Sequence, residues 1–92
     1  MLLKEEALYQ FLEQTIKYPQ LAKEQGIQGA VHVSFVVEAD GSISDVLVAK
    51  GVEESLDAES VRAVQLMPDW KPGEFQGNPV SVKMNLPVRF KL

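Results

Sequence analysis

No cysteine occurs anywhere in the 92 residues, which removes disulfides and thiolate metal sites without fixing a compartment. Histidine is present once, as His32, so a metal site would have to be completed by carboxylates. No second ligand stands at a diagnostic spacing from it, and no metal or other cofactor is expected. Positive charge is scarce and scattered: 9 Lys and Arg stand against 13 Asp and Glu, for a net charge of −4. That balance, with no basic stripe, is poorly suited to phosphate backbones and excludes nucleic acid as an expected partner. No stretch approaches the ~18 consecutive apolar residues that suggest a bilayer span. Met1-Leu2-Leu3 is too short, and too soon followed by Lys4, Glu5 and Glu6, to act as a signal peptide. Any anchor or leader of a parent protein is expected to lie outside this chain.

What is present suits one small domain over residues 1–92, with 1–17 as a leading amphipathic helix and 18–92 as the core. The apolar fraction of 46% is ordinary for a globular fold. Leu8, Phe11, Leu12 and Ile16 recur at helical spacing among charged residues, which predicts an amphipathic helix of about four turns. Pro19 pushes Tyr18 out of helical geometry and suits the first turn of a second, short helix from Gln20 to Gln25, ended by Gly26. From Gly29 the period changes to two, with Val31, Val33, Phe35 and Val37 on one face and His32, Ser34, Val36 and Glu38 on the other. Asp40-Gly41 predicts a hairpin turn, and Ile43 to Lys50 the return strand. Its apolar positions do not alternate strictly, so either a bulge or burial on both faces is expected there.

Ser55 or Asp57 is placed to cap a third helix, with Ala58, Val61, Val64 and Met67 as its apolar stripe and Pro68 as its end. A polar turn at Gln76-Gly77-Asn78-Pro79 then leads into a final strand running from Val80 towards Leu92. The order ααββαβ predicts a two-layer α+β fold: an antiparallel three-stranded sheet packed by helices on one face.

The final strand carries the functional expectation. It alternates apolar and polar residues as a half-buried strand should, yet it contains Pro87, which has no N–H to give and so belongs where one side of a strand has no partner. An open final strand is either an aggregation hazard or a rail for another chain's backbone. Catalytic readings are weak beside it. Ser34 near His32 has no glycine-flanked elbow. Glu53, Glu54, Asp57 and Glu59 read as an acidic helix start favoured by the dipole. Trp70 beside Pro72-Gly73 reads as a packing residue of the segment between helix and final strand. No catalytic residue is expected.

Taken in order, several short motifs make the chain resemble the TonB C-terminal domain family. They are Tyr18-Pro19 before a short helix, and Gly26-Ile27-Gln28-Gly29 leading into Val31–Val37. Asp40-Gly41-Ser42-Ile43 with Asp45-Val46 follows, then Leu56-Asp57-Ala58-Glu59-Ser60-Val61. Met67-Pro68-Asp69-Trp70-Lys71-Pro72-Gly73, Gly77-Asn78-Pro79-Val80 and Leu86-Pro87-Val88 complete the set. The resemblance covers nearly the whole chain, and Glu6-Ala7-Leu8 looks like a segment found in one branch of the family.

The resemblance implies a non-catalytic periplasmic domain of an inner-membrane-anchored energy transducer. Such a domain captures the TonB box of outer-membrane TonB-dependent receptors by strand addition. The parent's membrane region couples it to ExbB and ExbD, so that the proton motive force drives uptake of siderophores, cobalamin, haem or glycans. The partner-binding residues it implies are Tyr18, where the chain enters the fold, and the rail Val80, Ser81, Val82, Lys83, Met84, Asn85 and Leu86. Some members flank the Tyr-Pro with a Gln and an Arg that help hold the receptor; Thr15 and Leu21 stand in those places here. Two other uses of the same domain remain open at this level: attachment to a different envelope protein, such as a membrane sensor or a TolA-like linker, or a homodimer formed through the final strand, including a strand-swapped one.

Overall fold

In the computed structural model, residues 5–92 are described; Met1 to Lys4, the first part of the expected leading helix, lie outside them. Helix α1 (Glu5–Thr15) spans 11 described residues. It buries Leu8 and Leu12 and half-buries Phe11. Helix α2 (Gln20–Glu24) follows, with Pro19 at its N-cap rather than in its first turn, and it buries Ala22. Gly26 closes it at φ +67, a left-handed geometry that glycine adopts without a Cβ penalty.

Strands β1 (Gly29–Val37) and β2 (Ile43–Lys50) form an antiparallel hairpin. The Gly41 amide donates to the Glu38 carbonyl and the Glu38 amide to the Ser42 carbonyl, both at 2.8 Å. Gly41 takes φ +90, so the turn is a three-residue loop closed by a glycine bulge. Asp40 braces it by accepting from the Ser42 amide (2.9 Å) and hydroxyl (2.6 Å). The broken alternation of β2 proves to be a bulge: the register shifts between Ser34 and Val36, and Asp45 sits at φ +51.

Helix α3 (Glu54–Gln65) is capped by Glu53, whose carboxylate accepts from the Ser55 amide and hydroxyl, both at 2.6 Å. Neither Ser55 nor Asp57 is the cap; Asp57 instead accepts from the Val52 amide at 2.9 Å. Its buried face is Leu56, Ser60, Ala63 and Val64, continued by Met67, while Ala58 is exposed. The expected stripe was therefore rotated. Ser60 can enter the core because its hydroxyl donates to the Leu56 carbonyl one turn back, at 2.7 Å.

Two short strands then appear that the sequence pattern did not predict, β3 (Gly73–Phe75) and β4 (Asn78–Val80), paired as a small hairpin. The last strand, β5 (Val82–Phe90), returns to the main sheet. The sheet is three-stranded and antiparallel, in the order β2-β1-β5. Val31, Val33, Phe35 and Val37 of β1 share one buried cluster with Leu56 and Val64 of α3, Met67 just beyond it, and Leu8 and Leu12 of α1. The fold is thus α+β, with the helices on one face of the sheet. Trp70 packs on this core with its ring 5.7 Å from that of Phe35, and its amide donates to the Gly41 carbonyl at 2.7 Å, which ties the segment before β3 to the hairpin tip.

Candidate functional site: the outer edge of the final strand

Because β1 is central, the sheet has two edges, β2 and β5. They are not equivalent. The β2 edge is broken by the register shifts and by the bulge at Asp45, a common way to blunt a strand against pairing. The β5 edge keeps unbroken register with β1 from Val37–Val82 through His32–Pro87 to Gly29–Phe90. Nothing among the described residues pairs with its outer side.

Side chains along β5 alternate cleanly. Leu86, Val88 and Phe90 are buried against the core and Met84 packs against it, while Lys83, Asn85 and Arg89 are exposed. Of the residues expected to form the rail, Val82 to Leu86 lie in β5, Val80 ends β4, and Ser81 links the two strands. The Ser81 hydroxyl reaches towards the Glu38 carboxylate at 3.5 Å. The rail therefore spans the end of the small hairpin and the first half of β5.

Tyr18 lies at the other end. Its hydroxyl donates to the Ile27 carbonyl, and its ring meets Phe90 edge-on, with centroids 5.5 Å apart and planes at 88°. The same ring lines a groove of about 330 Å³ between α1 and the second half of β5, together with Tyr9, Leu12, Ile16, Pro87 and Phe90. Tyr18 is both a packing residue and part of an open apolar surface, but it is not brought beside Val80–Leu86. The pattern did not reveal this groove, since Tyr9, 53% exposed, falls on the polar side of the α1 periodicity.

α1 is held over that groove by a polar clasp. Glu59 of α3 accepts from the Lys17 amide at 2.7 Å and from the Arg62 guanidinium at 2.7 Å, and Arg62 also donates to the Thr15 carbonyl at 3.0 Å. The Arg62 hydrogen bonds hold the Glu59 carboxyl below its ordinary range, outweighing its partial desolvation, and the Lys17 amide adds to the effect. Thr15 and Leu21, the two positions flanking Tyr18-Pro19 singled out in the sequence, have different surroundings. Thr15 gives its carbonyl to this clasp, and Leu21 is exposed on α2.

His32 is half-buried on the helix-free face of the sheet, opposite Pro87. No group of three or more His, Asp or Glu able to hold a metal ion occurs among the described residues. None of the described helices is long and apolar enough to cross a membrane. What the β5 edge offers chemically is a row of backbone donors and acceptors with an apolar groove at one end.

Comparison with known proteins agrees with this architecture. The model of the Gram-negative bacterial TonB protein C-terminal family matches residues 14–92. Protein TonB of Vibrio cholerae is 33% identical over 79 residues, covering 83% of this chain and 31% of that protein. Protein TonB of Helicobacter pylori J99 is 33% identical over 81 residues, covering 83% of this chain and 26% of that protein. The chain thus spans less than a third of the length of these relatives. Two solution structures of the Helicobacter pylori TonB C-terminal domain superpose with a TM-score of 0.70 each. One, of residues 179–285, is 27% identical and covers 91% of this chain and 76% of that one; the other, of residues 194–285, is 25% identical and covers 94% and 90%. The chain belongs to the TonB C-terminal domain family.

Proposed function

We propose that this domain is the receptor-capturing end of a TonB-type energy transducer. It takes the TonB box of an outer-membrane receptor as an added strand on the outer edge of β5, along Val80, Ser81, Val82, Lys83, Met84, Asn85 and Leu86. The observation that supports this most directly is the contrast between the two edges: β2 is blunted by a bulge, whereas β5 keeps unbroken register and has no partner on its outer side among the described residues. Strand addition draws its affinity from main-chain hydrogen bonds and so accepts many sequences. At roughly 0.5–1.5 kcal/mol net for each bond, a short box binds reversibly, which suits repeated capture and release. No step requires a catalytic side chain or a cofactor. Tyr18 and the groove beside it receive side chains of the captured segment that run on beyond the rail. In this reading the domain works in the periplasm, and the rest of the parent protein supplies the membrane anchor and the coupling to ExbB and ExbD.

Titration of isotope-labelled domain with synthetic TonB-box peptides, followed by backbone amide shifts, tests the proposal. The expected result is shifts concentrated in Val80–Leu86, with a second group at Tyr18 and Phe90. Absence of shifts with every peptide, in a sample whose mass stays monomeric on concentration, would sink it. A mass that rises with concentration would point to self-pairing through the same edge.

A further inference from the structure

Two prolines lie in the β4–β5 segment, and the register gives them a common orientation. In an antiparallel ladder, residues alternate between those whose N–H and C=O face the paired strand and those whose groups face away. The β3–β4 hairpin turns through Gln76 (φ +53) and Gly77 (φ +81), the two-residue type I′ geometry. Its flanking pair Phe75–Asn78 is therefore hydrogen-bonded, the next pair Glu74–Pro79 is not, and Gly73–Val80 is again. Pro79 thus turns its backbone outward. In β5, Pro87 pairs with His32, and a residue without an N–H keeps the ladder whole only at a non-bonded position. Pro87 faces outward as well.

The two prolines share one parity. Asn78 and Val80 bond to β3, and Val82, Met84, Leu86, Val88 and Phe90 to β1, while Lys83, Asn85 and Arg89 offer their N–H and C=O to the open side; Ser81 joins the two runs. A Cβ built on Gly73 would fall 2.4 Å from Val82 Cγ2, which sets β3 in line with the end of β1 and on the same side of the β4–β5 segment. Among the described residues nothing pairs with the outer side from Asn78 to Phe90, a run of about 40 Å at strand rise within a molecule 49 Å long. An edge of that length would ordinarily be an aggregation hazard.

We propose that Pro79 and Pro87 frame this edge and fix the length of strand it accepts. Between them Lys83 and Asn85 present an uninterrupted set of donors and acceptors. At each proline the outward donor is missing, so pairing weakens at both ends. The frame admits a short extended peptide in one preferred position and disfavours a second copy of β5, whose own prolines would leave gaps in a long self-paired ladder. The length filter rests on receptor capture as proposed above; the orientation of the backbone groups does not.

The test uses the wild-type domain, the double variant Pro79→Val/Pro87→Val and the variant Asn85→Pro. Amide exchange on the wild type without ligand reads the orientation: Met84, Leu86 and Val88 should be protected, and Lys83, Asn85 and Arg89 should exchange quickly. The reverse pattern overturns the inference, as would unfolding of Asn85→Pro, since an outward N–H can be lost without harm to the β1–β5 ladder. A TonB-box peptide of about seven residues and a version extended to about thirteen read the length filter. Wild type should gain from the extension only what side-chain contacts in the groove beside Tyr18 add, and so less than the double variant. The double variant should bind the longer one roughly two- to tenfold more tightly for each restored bond, and should dimerise at lower concentration. An equal gain from lengthening in wild type, or a double variant unchanged in both respects, overturns the frame. If no peptide binds the wild type, receptor capture fails, and the exchange pattern and dimerisation still decide the frame.

Discussion

Glu59 shows how one side chain can hold an element in place. It joins the end of α1 to α3 through the Lys17 amide and Arg62, and α1 forms one wall of the groove beside Tyr18. Its carboxyl is held below the ordinary 4.5, chiefly by Arg62. A carboxyl lowered in the folded state adds stability above its unfolded pKa, and that stability is lost as pH falls through the folded value. The domain should therefore lose stability as pH drops below about 4.5. Asp40 and Glu53, lowered mainly by the hydroxyls of Ser42 and Ser55, contribute in the same direction. Glu59→Gln should cost about 1 kcal/mol at neutral pH, since the clasp is partly screened by solvent, and should flatten the acid limb; urea denaturation at pH 7 and pH 3 measures both. An equal loss at the two pH values would show that the clasp does not depend on the charge. The clasp was not legible in the sequence, where Glu59 read as one of several acids at a helix start, because the contact that ties α3 to the end of α1, the Lys17 amide, is 42 positions away.

At the level of elements, legibility followed local chemistry. The period of two from Val31 to Val37, the Asp40-Gly41 turn and the Pro87 signal identified β1, the first hairpin and the open edge, because each depends on neighbouring residues alone. The face of α3 was misread because apolar count is a poor guide where a serine satisfies its own hydroxyl within the helix, as Ser60 does, and an alanine stays exposed. The β3–β4 hairpin was missed because each strand has only three residues; one includes Pro79, and its turn uses Gln76 where asparagine or aspartate usually stands. It buries little, with Phe75 66% exposed. Gly77, at φ +81 with open space around its Cα, holds it by conformation rather than packing. Gly77→Ala should cost about 1 kcal/mol in left-handed strain and loosen the hairpin locally. Amide exchange should rise at Asn78 and Val80 while Val33 and Phe35 keep their protection. A matching loss of protection in β1 would mean that the hairpin is part of the main cooperative unit.

Over the whole molecule, charge and edge are set against each other. The chain carries a net charge of −4, yet from Val82 to the C-terminus the charged residues are Lys83, Arg89 and Lys91, with no acid among them. On the capture proposed above, an acidic body with a basic rim along the β5 edge would favour a segment that carries carboxylates and repel a second acidic copy approaching broadside. Lys83 lies inside the rail and is exposed, so it is the charge best placed to meet such a segment. Exposed ion pairs contribute only about 0.2–1 kcal/mol and fade as the Debye length shortens from roughly 10 Å at 0.1 M to 3 Å at 1 M salt. Lys83→Glu should therefore weaken binding of an acidic TonB-box peptide several-fold at low salt and hardly at all at high salt. An uncharged version of the peptide should bind wild type and variant alike. Titrations at the two salt concentrations measure this directly. A loss that persists in high salt, or that extends to the uncharged peptide, would assign Lys83 a steric part in shaping the edge instead of an electrostatic one.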